Sequence, residues 1–84
     1  MEFVRIKERY DLEGQKEFFA ATWFYPMGSR LKVTNSRNGK SVIVRVVDRG
    51  PKKNLGRIAD LSRASFRKIS SLANGVIPVQ VEVI

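Results

Sequence analysis

Residues 41–62 read SVIVRVVDRGPKKNLGRIADLS, and they decide the architecture. The first seven are crowded with β-branched side chains, which favour the extended, pleated backbone. Side chains alternate along a strand, so Val42, Val44 and Val46 share one face and Ile43, Arg45 and Val47 the other. A strand apolar on both faces, save for one arginine, is expected in the middle of a closed sheet rather than at a solvated edge. Asp48 follows it directly. The next nine residues, DRGPKKNLG, read as a loop, because Gly50-Pro51 and Asn54 to Gly56 are turn chemistry. RIADLS is then a short extended piece carrying Asp60. It ends at Ser62, a natural N-cap, with Leu61 placed to staple the first helical turn. Two of the chain's eight acids thus stand at strand-like ends in a field of arginine and lysine.

Working outward, RLKVT at 30–34 alternates, with Leu31 and Val33 on one face. It is joined to residues 41–47 through NSRNGK, where Asn38-Gly39 is expected to supply the positive φ angles of a tight hairpin. A single short helix is predicted over about residues 62–73, with Phe66, Ile69, Leu72 and Ala73 facing inward and Asn74-Gly75 closing it. The last strand, IPVQVEVI, places Val79, Val81 and Val83 inward. At the other end, EFVRIKERY alternates as a strand, with Val4, Ile6 and Tyr10 on one face. Phe18, Phe19, Trp23, Phe24 and Tyr25 are five aromatics within eight residues. Core packing is the expected use of most of them, and an exposed binding platform is the other. Pro26 and Gly28 punctuate the entry to the Arg30 strand. Four or five short strands and one capped helix point to an all-β domain that removes its edges by closing into a barrel.

Eighty-four residues make one domain, spanning 1–84, because a second core could not be filled. There is no cysteine for a disulfide or thiolate metal site, and no histidine to serve as base, proton shuttle or zinc ligand. Acid–base chemistry must fall to carboxylates, tyrosine or lysine. No cofactor is expected, and no apolar stretch is long enough for a membrane span. Charge is uneven: from Arg30 to Lys68 there are twelve basic and two acidic residues, against four basic and six acidic elsewhere. Such a block favours an acidic partner, whether a wall polymer, nucleic acid or another polyanion; its bland use is to keep a small domain soluble. Phe66 is the only aromatic in the block, which argues against single-stranded nucleic acid, whose bases need stacking platforms.

From Gly28 to the end, the chain resembles the double-psi β-barrel domain of the rare lipoprotein A-like family of septal lytic transglycosylases. The resemblance is carried by GSRLKVTN, NGKSVIVRV, DRGP, GRIADLS and the closing PVQVEV. It implies a six-stranded double-psi β-barrel with one short helix, related to barwin and expansins. It also implies a groove that binds peptidoglycan or a related glycan, in a cell-envelope or extracellular setting if the parent protein is exported.

By the same resemblance, Asp48 and Asp60 are the candidate catalytic carboxyls. In lytic transglycosylation one carboxylic acid protonates the glycosidic oxygen and the sugar's own hydroxyl closes the ring, so no water need be activated. Arg49 and Arg57 are candidates for engaging substrate carboxylates or hydroxyls. Trp23 and Tyr25 would form a sugar-stacking wall beside Thr22. Structural uses compete: Asp60 as a cap or anchor for loop amides, Asp48 as an ion-pair partner of Arg49 or Arg57. Three departures from the family pattern bear on turnover. Thr22, in FAATWFYPMG, stands where catalytic members carry histidine. Val47 replaces the asparagine before the first aspartate. The upstream glutamate has only an off-register echo in Glu8, with Asp11 competing for the match. The resemblance therefore implies weak or absent cleavage. The rival readings are a basic nucleic-acid-binding module and a protein-interaction barrel.

Overall fold

The computed structural model describes residues 2–6, 18–51 and 56–84. Tyr10, Glu8, Asp11 and Asn54, all named above, lie outside the described residues. Among the described residues there are six strands: β1 (Glu2–Ile6), β2 (Phe19–Ala21), β3 (Arg30–Asn35), β4 (Ser41–Asp48), β5 (Ala59–Leu61) and β6 (Val76–Val83). One α-helix, α1 (Arg63–Ile69), joins β5 to β6. The strands close in the order β1-β5-β2-β4-β3-β6, and β6 returns to β1. Two pairs, β1–β5 and β2–β4, are parallel and the other four antiparallel. This is the closed six-stranded barrel with one short helix that the resemblance implies, with one strand or two more than the residue pattern alone gave.

Alternation builds the interior. Leu31 and Val33 of β3, Val42, Val44 and Val46 of β4, Ile77 and Val79 of β6, and Val4 of β1 converge on one cluster. Phe66 and Ile69 of α1 enter the same cluster, fully buried. Each such side chain contributes about 1.5–3 kcal/mol by leaving water.

Three expectations change. First, β4 does lie between β3 and β2, but only its valine face is buried; Ile43 and Val47 are exposed. A closed barrel has a single interior, so alternate side chains of even a central strand must turn outward. Second, Val83 is 61% exposed rather than inward. Beyond Val79 the strand has left β1 and pairs with β3 alone, so it runs out past the mouth of the barrel. Third, of the five clustered aromatics only Phe19 is buried. Phe18, Trp23 and Phe24 are exposed and Tyr25 packs half-buried against the core.

The hairpin and the helix end also differ from expectation, for one shared reason. Only Gly39 takes a positive φ (76°); Asn38 does not. The two asparagines of the turn reach instead to the helix. Asn35 Nδ2 and Asn38 Nδ2 both donate to the carbonyl of Ile69, at 2.7 and 3.0 Å. With its last carbonyl taken, α1 stops at Ile69 rather than Ala73, and Ser70 is extended. Ala73 donates its amide to Ser71 Oγ in a separate 3-10 turn (Leu72–Asn74) and is exposed, not inward; Gly75, at φ 69°, closes that turn.

Asn35 is buried, and its Oδ1 also accepts the amide of Arg37. Asn35→Ala orphans groups at both ends of the contact. It is expected to lose about 1–3 kcal/mol in urea unfolding at unchanged m-value, whereas exposed Asn38→Ala loses less.

Candidate functional site

The barrel register lines up four residues across neighbouring strands. Arg5 of β1 is the partner of Asp60 of β5, Asp60 of Ala21 of β2, and Ala21 of Asp48 at the end of β4. Strands lie about 4.7–4.9 Å apart, so the backbones of Asp48 and Asp60 are separated by roughly 10 Å with β2 between them. Both aspartates therefore belong to one end of the barrel.

Their side chains have different surroundings. Asp60 is 1% exposed, and Arg5 Nε donates to its Oδ1 at 3.2 Å while the Arg5 side chain stays 40% exposed. Asp60 does not cap the helix: that task falls to Ser62, whose Oγ accepts the amide of Ser65. Asp48 is exposed, and its Oδ1 accepts the backbone amide of Arg49 at 2.7 Å.

The Arg49 guanidinium turns to main chain: its Nη1 donates to the carbonyls of Thr22 (3.0 Å) and Tyr25 (2.6 Å). Arg49 thus ties the segment after β2 to the end of β4. Thr22 is fully buried within that tie. Its amide donates to the carbonyl of Asp48, its hydroxyl donates to the carbonyl of Ile58 at 2.8 Å, and the same oxygen accepts the amide of Phe24. A hydroxyl has one proton to give, and here Ile58 takes it.

Next to Ile58, Arg57 is half-buried, and its Nε is buried with no hydrogen-bond partner among the described residues. Trp23 (46% exposed) and Phe24 follow Thr22 at this end. Tyr25 sits against the core, and its phenol is raised above the ordinary value of 10.0, first by burial and then by the carboxylate of Glu2. The phenol is therefore neutral near pH 7. No cluster of metal-ligating side chains occurs among the described residues.

Asp48, Asp60, Thr22, Arg49 and Arg57 are thus gathered around one end, with the aromatic segment 23–25 beside them. Arg5, the partner of Asp60, was not legible in the sequence: it lies between Val4 and Ile6 in a plain alternating strand, 55 residues from its aspartate. The lone charge between two apolar residues was the available signal.

A lytic transglycolase family profile matches residues 7–81. A probable endolytic peptidoglycan transglycosylase RlpA of Nostoc is 44% identical over 77 residues, covering 92% of this chain. The endolytic peptidoglycan transglycosylase RlpA of Neisseria meningitidis is 46% identical over 75 residues, covering 89%. The chain spans only 20% and 30% of the lengths of these two relatives. Among solved structures, a point mutant of the Clavibacter michiganensis expansin in complex with cellohexaose superposes with TM-score 0.75 at 19% identity, over 99% of this chain and 48% of the expansin chain. Cerato-platanin 3 of M. perniciosa gives 0.74 at 15% identity, over 98% of this chain and 92% of its own. These two likenesses are likenesses of fold.

Two outcomes are expected. Arg5→Met removes a charge-assisted bond to a buried carboxylate and lowers stability by about 1.5–3 kcal/mol in chemical denaturation. Tyr25, followed by ultraviolet absorbance, titrates above 10.0 in the folded protein and moves back toward it in Glu2→Gln. Because the folded phenol holds its proton more tightly than the unfolded one, its contribution to stability is complete below the ordinary value and fades as pH rises through the folded one.

Proposed function

Since the chain belongs to the lytic transglycolase family, as an RlpA-like double-psi β-barrel domain, we propose that it binds peptidoglycan or a related wall glycan where β2, β4 and β5 meet, with weak or absent cleavage. The observation that carries this reading is the register that sets Asp48 and Asp60 on either side of Ala21, with Trp23 and Phe24 exposed beside them. Glycan strands present alternating hydroxyls and flat sugar faces. Carboxylates and guanidinium groups meet the former, and an exposed indole meets the latter.

In this reading exposed Asp48 is the carboxyl that reaches the glycosidic oxygen, first as acid and then as base, while the sugar's own hydroxyl displaces the leaving group. Buried Asp60, held by Arg5, shapes the floor. Trp23 stacks on a sugar ring and the neutral Tyr25 backs the wall. Arg57, half-buried beside Ile58, offers the accessible part of its guanidinium to a substrate oxygen. Arg49 keeps the segment 22–25 in place and offers its remaining N–H groups. Thr22 supports the weak-turnover reading: in the place of a histidine it offers a hydroxyl whose proton is already committed to Ile58, so Thr22 does not assist Asp48 as an acid. The names of the relatives support placement in the cell envelope or outside the cell. The expansin of the same fold, solved with cellohexaose, supports a glycan as the ligand.

Co-sedimentation with purified wall sacculi tests the reading. The protein is expected in the pellet. Trp23→Ala should weaken retention by about tenfold, the equivalent of about 1.4 kcal/mol. Asp48→Asn should leave retention in place and abolish any release of anhydro-muropeptides. Protein that stays in the supernatant would refute glycan binding.

A further inference from the structure

The outer face of β3 and β4, away from the aspartate end, carries a feature that glycan binding does not use. Leu31, Val33, Val44 and Val46 point into the barrel, so Arg30, Lys32, Ile43 and Arg45 point out. In the β3–β4 register Arg30 lies directly opposite Arg45, and Lys32 opposite Ile43. Opposed residues on one face have their Cβ atoms about 5 Å apart, and like charges so placed destabilise a sheet. Among the described residues no carboxylate bridges either arginine, and Glu82 lies across from Lys32 instead.

The apolar part of the face is equally exposed. Phe18 and Ile43 are shared by two adjoining hollows of about 350 Å³ each. One is walled by Arg30 and Arg45, the other by Lys32 and Lys68. Lys68 of α1 sits with its ammonium 5.7 Å from the centre of the Phe18 ring, and the carbonyl of Phe18 accepts the amide of Arg45 at 3.1 Å. The face therefore sets four cations around an apolar patch of Phe18 and Ile43, built from β3, β4, α1 and the residue before β2.

The geometry points to a docking surface for a partner protein, which presents here an acidic segment with carboxylates on either side of one or two large apolar side chains. The carboxylates would meet Arg30 and Arg45 at one end and Lys32 and Lys68 at the other, and the apolar side chain would cover Phe18 and Ile43. Guanidinium pairs take carboxylates in a bidentate fashion, and desolvated aromatic and arginine groups dominate the energy of protein contacts. A polyphosphate, charged throughout, would leave the patch uncovered, and one exposed aromatic is too small a platform for a run of bases. That favours a peptide. Because the barrel is closed, the segment must bind through side chains rather than by adding a strand.

The test is fluorescence anisotropy with the whole chain and a labelled peptide of sequence Glu-Glu-Leu-Phe-Glu-Glu, alongside an all-glutamate peptide and inorganic polyphosphate. Saturable binding of the mixed peptide is expected, at least about tenfold tighter than either control. Arg45→Glu should weaken it by tenfold or more. The same substitution places an acid opposite Arg30, so its melting temperature should equal or exceed that of the wild type, which separates lost docking from lost fold. Absence of saturable binding overturns the proposal. So does equal affinity in Arg45→Glu, or polyphosphate binding as tightly as the mixed peptide. Sacculus binding through the aspartate end should be untouched by Arg45→Glu, so the two readings stand or fall separately.

Discussion

The candidate site depends on a strand of three residues being gripped from both sides. β2 runs parallel to β4 and antiparallel to β5, and its central Ala20 is fully buried in the core. Alanine suits the place, because a larger side chain would have to displace the valines already filling a small barrel. A register irregularity between Ala20 and Ala21 brings Asp48 opposite Ala21, and the amide of Thr22 continues the contact to the Asp48 carbonyl. Remove that double pairing and the two aspartates have no common frame. The barrel closure is thus what turns two distant acids into one arrangement.

The same closure explains which features could be read in advance. β3, β4 and β6 announce themselves through alternating β-branched residues, and the helix through Ser62 and the spacing of Phe66 and Ile69. These are local signals. β2 is Phe-Ala-Ala, with no β-branched residue and no alternation, and exists as a strand because β4 and β5 provide partners. The ion pair of Arg5 with Asp60 and the clasp of Asn35 and Asn38 on Ile69 join residues 31 to 55 positions apart. Nothing within a window of sequence encodes them. The family motifs carry them implicitly: both asparagines fall within the VTN and NGK segments by which the resemblance was drawn, although their task of ending the helix was not visible there.

The basic block, read from sequence as one property, divides in three dimensions. Arg49 is spent on main-chain carbonyls and acts as a strut. Arg57 stands half-buried at the aspartate end. Arg30, Lys32, Arg45 and Lys68 form a separate exposed face with Phe18 and Ile43. The aromatic cluster divides likewise: Phe19 goes to the interior, Trp23 and Phe24 to the aspartate end, and Phe18 to the basic face. One short strand thus has exposed aromatics at both its ends, each serving a different surface.

The most direct measurement is amide-resolved NMR of the protein titrated with a soluble, uncross-linked glycan strand. Saturable shifts are expected to concentrate at residues 21–25, 48–49 and 57–60, with the outer face of β3 and β4 unchanged. Shifts confined to that outer face, or spread without focus over the barrel, would contradict the claim that closure assembles a sugar-binding end around Asp48 and Asp60.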